Sequence, residues 1–155
     1  MTKIVITGLV IVHLAASFWH GSAHTHLGIE LSTEQTLFIY IVIIIAPIVA
    51  AILVLTRYVS IGLWVFFLSM LGSFLFGAYQ HYVLVSPDNI NQLPAGTSEY
   101  HSHFVISAGV IALLELASAL YGAFCLGTYH AQARMRLTRR CNQRGKSNNW
   151  KSRTC

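Results

Sequence analysis

Residues 37–56 read LFIYIVIIIAPIVAAILVLT. No charge interrupts the run, and only Tyr40 and Thr56 bring side-chain polar atoms to it. A helix rises about 1.5 Å per residue, so about 20 such residues cross the roughly 30 Å hydrocarbon core of a bilayer. Lipid offers the backbone no hydrogen-bond partner, so the run must satisfy itself as a transmembrane helix. Pro47 lacks the N–H that such a ladder uses, and a mild kink is expected there.

Three further stretches resemble this one in length or apolarity: about 4–20, 61–85 and 104–128. The expected fold is all-α, an integral membrane four-helix bundle of up-down-up-down topology over residues 1–133. A basic cytoplasmic tail, 134–155, follows, and its poverty in apolar residues predicts irregular chain. Composition agrees with this picture. The 155 residues are 55% hydrophobic and 10% charged, against about a quarter charged in a typical soluble domain, which excludes an ordinary water-soluble fold.

Lys3, Arg57 and eight Lys or Arg residues from Arg134 to Arg153 make up the cations, while Glu30, Glu34, Asp88, Glu99 and Glu115 make up the anions. Alternation of spans puts every cation on one side, and the two long loops, about 21–36 and 86–102, contain none. The positive-inside rule then gives N-in/C-in, with both long loops outside the cytoplasm. The expected location is the plasma (inner) membrane, multi-pass. Because the basic segment follows a span directly, its expected partner is anionic lipid and not nucleic acid. The smooth face of 37–56 is expected to meet lipid, a membrane-protein partner or a second copy of the chain. Cys125, Cys141 and Cys155 form no CxxC pair and are assigned no chemistry.

Of eight histidines, seven fall in the first span, in the long loops or at the span ends beside them: His13, His20, His24, His26, His81, His101 and His103. Residues four or seven apart share a helix face, so His13, His20 and His24 align if the first helix continues past the membrane surface. Two helical imidazoles four apart can hold one metal ion. His81, His101 and His103 reach the same level from other helix ends. The expected ligands of a transition-metal ion (Cu, Zn or Fe) are therefore His20, His24, His81, His101 and His103, with Asp88 adding carboxylate. Haem b ranks below a simple ion, because these histidines sit near the edge of the hydrocarbon and not within it.

A second pair, His13 and Glu115, lies deeper. An ionisable group in hydrocarbon must face the bundle and find a partner, and each is the other's nearest match in depth. The small residues of the third and fourth spans, among them Gly72, Gly77 and Gly122, are expected to be packing surfaces. Three functions fit these observations: metal handling or redox chemistry at the extracytoplasmic face, a non-catalytic accessory subunit of a larger membrane complex, or an isomerase or carrier built on His13 and Glu115.

Overall fold

The computed structural model describes the backbone of residues 2–147 and the side chains of residues 2–139. Four helices make up the described chain: α1 (Thr2–Leu27), α2 (Thr33–Leu55), α3 (Val59–Val83) and α4 (Ser98–Ser147). All four are long and apolar enough to cross a membrane. Large apolar side chains such as Ile11, Ile41, Ile52, Leu68 and Leu113 are exposed along every helix, which lipid solvates and water would not.

Two helices end well past their expected spans. α1 reaches Leu27, where 4–20 was expected. Its end is set by Gly28, whose φ of +63° is the left-handed conformation that glycine adopts without strain. The Gly28 N–H then donates to the Thr25 carbonyl and the Ile29 N–H to the His24 carbonyl, at 3.3 and 3.0 Å. α4 does not stop near residue 128. It continues to Ser147 and so takes in the first part of the basic segment, where irregular chain was expected; residues 148–155 of that segment lie outside the described residues.

α2 starts on a capping box, in which Ser32 Oγ accepts from the Gln35 N–H and Gln35 Oε1 accepts from the Ser32 N–H. Before Pro47 the helix widens to i→i−5 bonding over Ile39–Ile45, with the Ala46 N–H on the Ile41 carbonyl. The ladder thus changes register beside the residue that cannot donate. α3 widens in the same way over its last residues, Tyr79–Val83.

The helices approach closely at glycines. A Cβ on Gly62 would lie 2.7 Å from the Val54 backbone nitrogen, and one on Gly122 would lie 3.1 Å from Phe66. Gly122 is one of the expected packing positions; Gly62, the tighter contact, lay outside them. Two apolar clusters result. One, around Ile6, Val54, Phe66 and Met70, fills the end of the bundle near the N-terminus. The other, around Ala23, Leu27, Ile29 and Phe104, closes the opposite end. Between them lies a band of buried polar groups that includes His13, His20, His81, Asp88, Ser107 and Glu115.

Candidate metal centre

Three imidazoles meet in that band. His20 and His24, one turn apart on α1, bring their Nε2 atoms to 3.1 Å from each other. His81 comes from the widened last turn of α3, and its Nε2 is 3.1 Å from His20 Nε2. All three ligand atoms lie within 4.8 Å of one another. Metal–imidazole bonds of about 2.0–2.1 Å put tetrahedral donors about 3.3 Å apart, so the spacing suits one shared ion.

The outer nitrogens have hydrogen-bond partners. Ser107 Oγ lies 3.1 Å from the Phe104 carbonyl, to which it can donate, and 2.9 Å from His20 Nδ1, from which it can then accept. His81 Nδ1 lies 3.0 Å from the Asp88 carbonyl oxygen, which only accepts. With neutral rings that carry hydrogen on Nδ1, both Nε2 lone pairs point at each other across 3.1 Å. Two facing acceptors repel unless a proton or a metal ion lies between them. Nδ1–H bound to an outer acceptor with Nε2 free is also the arrangement that prepares histidine for a metal.

Asp88 adds charge. Its Oδ1 is buried, 3.3 Å from His24 Nε2 and 3.2 Å from His81 Nδ1, with no well-aligned hydrogen-bond donor. The loop that carries it is braced by its own polar groups: Ser86 Oγ accepts from the Asp88 N–H, and Asn89 Nδ2 donates to the Leu84 carbonyl. Glu115, a second buried carboxylate, pairs with His13, while among the described residues every Lys and Arg is exposed. A buried carboxylate without a buried cation is costly, and a dication at the three nitrogens would offset the burial of Asp88.

The two remaining expected ligands are not in this cluster. His101 donates from Nε2 to the Pro94 carbonyl at 2.8 Å and so braces the 84–97 loop. His103 stacks on Trp19 with ring centroids 5.4 Å apart. Phe104 and Ser107 hold the inward face of α4 at this level. The three nitrogens converge on one point, as a single ion requires, and the adjoining cavity is ≈ 60 Å³.

About two helical turns deeper, His13 Nε2 is 3.1 Å from Glu115 Oε1, with both residues buried. Sequence reasoning missed Ser107, seen only as a small residue, and the Asp88 carbonyl. Ser107 lies one turn beyond His103, which could have drawn attention to it, whereas nothing in a sequence marks a backbone carbonyl.

The Ser107 contact is testable. Ser107→Ala frees His20 to place its proton on Nε2, and metal affinity is expected to fall about ten- to hundredfold, as for loss of other outer partners. Competition with a chromophoric chelator measures it, and an unchanged affinity would show that the hydroxyl does not orient the ring. The chain matches no protein-family model, no curated protein and no solved structure, so its function has to be read from this geometry.

Proposed function

We propose that this chain is a multi-pass membrane protein that holds one transition-metal ion (Cu, Zn or Fe) on His20, His24 and His81, with Asp88 as a further oxygen donor. The centre serves metal handling or redox chemistry at the extracytoplasmic face of the plasma (inner) membrane. The observation that carries this reading is the convergence of three Nε2 atoms, with His20 Nε2 3.1 Å from those of His24 and His81 and outer partners on Nδ1 of His20 and His81. A metal ion relieves that arrangement, as does a proton on one of the rings, and the further donors of His24 and Asp88 around the same point favour the ion. Three nitrogens and a carboxylate suit zinc, copper(II) or iron; the absence of thiolate and thioether from the described cluster disfavours copper(I).

Metal analysis tests the reading. Protein purified in detergent without chelator should carry close to one equivalent of one metal per chain, or take it up from a dilute salt. A chain that neither carries nor takes up metal would instead support the accessory-subunit reading.

The proposed topology is up-down-up-down with both chain ends in the cytoplasm. Its support is the charge pattern: exposed Lys3 and Arg57 and the cations of α4 lie away from the histidine end. In a background without Cys125, Cys141 and Cys155, Ser98→Cys should label from outside the cell and Ser147→Cys only from within. Labelling of both from one side would refute the orientation.

A further inference from the structure

Beneath the three imidazoles lies the ≈ 60 Å³ cavity, and it joins the two polar layers. His24, His81 and Asp88 line one end, and Glu115 lines the other. The volume accommodates a molecule of about two to four non-hydrogen atoms, judged by the space one water needs. Ile43, Phe76 and Ile111 form apolar walls.

The chemistry of the two ends differs. The metal end accepts a lone pair. At the other end Glu115 turns Oε1 to His13, while Oε2 faces Gly77, 3.9 Å from where a Cβ there would lie. Ser73, on the same wall, spends its hydroxyl proton on the Ser69 carbonyl at 2.8 Å, so it too presents only lone pairs. An occupant must therefore give a lone pair to the metal and N–H or O–H hydrogens to Glu115 and Ser73.

Access favours uncharged molecules. A larger groove of ≈ 470 Å³ opens between α1 and α2 at the same level, lined by Ser17, Gly21, Ser22 and Tyr40. Leu31 and Ile39 line both this groove and the inner cavity, so these two side chains form the partition between them. The groove faces the membrane side of the bundle, where an ion is disfavoured and a small neutral molecule is not.

We infer that the cavity is the ligand-binding chamber of the metal centre, and that it takes a small neutral hydride of nitrogen or oxygen. Such a molecule coordinates the metal through its lone pair and donates hydrogen to Glu115 Oε2. This rests on metal occupancy of the His20/His24/His81 centre.

Cobalt(II) substitution provides the readout, because its visible absorption reports coordination number. At alkaline pH, methylamine should perturb the spectrum of the cobalt-loaded wild-type protein, and tert-butylamine should not. Gly77→Ala places a methyl group between Glu115 and His81 at ordinary contact distances, without a clash. It should retain the cobalt but bind methylamine about tenfold more weakly or worse, as overfilled sites do. Ile43→Ala, which enlarges the chamber from the opposite wall, should admit the bulkier amine. One cobalt per chain with a spectrum indifferent to methylamine, or with equal affinity in Gly77→Ala, overturns the chamber and leaves the metal centre standing. Failure to bind cobalt at all overturns both.

Discussion

His20→Ala protein is expected to lose its metal. His20 is the hub of the cluster: its Nε2 lies 3.1 Å from both His24 Nε2 and His81 Nε2. Without it the remaining donors are two imidazoles with ring centroids 5.9 Å apart and the Asp88 carboxylate. Affinity should fall by more than the roughly ten- to hundredfold that loss of an outer partner costs. Metal bound only to the folded state also stabilises it, by about 2.7 kcal/mol at a free concentration a hundred times the dissociation constant. Wild-type protein should therefore unfold at a higher temperature when metal is added, and His20→Ala should not respond. The two measurements check each other. A variant that keeps its helical circular dichroism but loses both metal and the thermal response has lost a ligand. One that retains wild-type metal content would place the ion elsewhere.

The bundle was legible in the sequence because lipid imposes a simple rule. Runs such as 37–56 must be helical, and four of them in a chain of 155 residues leave little choice of fold. Hydropathy locates lipid, however, and not helix ends. The segment Gly21–Leu27 is polar enough to look like loop, yet it continues α1 because its backbone bonds are internal and Gly28 supplies the stop. That extension is what carries His24 to the cluster. The partnership of His20 and His24 could be read from their four-residue spacing. The depth of His81 could be read, but not its rotation, since the widened turn at Tyr79–Val83 has no compositional mark. His101 and His103 show the limit of counting by depth. Two residues apart on one helix, they cannot both face the bundle, and Phe104 and Ser107 already occupy its inward side.

Glu115→Leu should destabilise the bundle more than Glu115→Gln, and more than the double replacement of His13 and Glu115 by leucine. His13 is fully buried, Glu115 is 3% exposed, and a single 3.1 Å hydrogen bond joins α1 to α4 there. Wherever the shared proton sits, leucine at 115 leaves the His13 ring with no polar partner at that nitrogen, and its Nδ1 already lacks one. An unsatisfied buried donor or acceptor costs about 1–3 kcal/mol, whereas removing both partners together can be nearly neutral. Glutamine keeps an oxygen or an amide hydrogen for the ring and should cost less than leucine. The unfolding midpoint in mixed detergent should thus fall in the order wild type, Glu115→Gln, Glu115→Leu, with the double leucine variant recovering toward wild type. A double variant less stable than Glu115→Leu would mean that the two residues act separately. Metal content separates structure from chemistry in the same proteins. The nearest ligand on α1, His20, is seven residues from His13, about 10 Å along the helix axis. The Gln variant keeps every proposed ligand and should retain its metal, while the chamber exchanges a carboxylate acceptor for an amide.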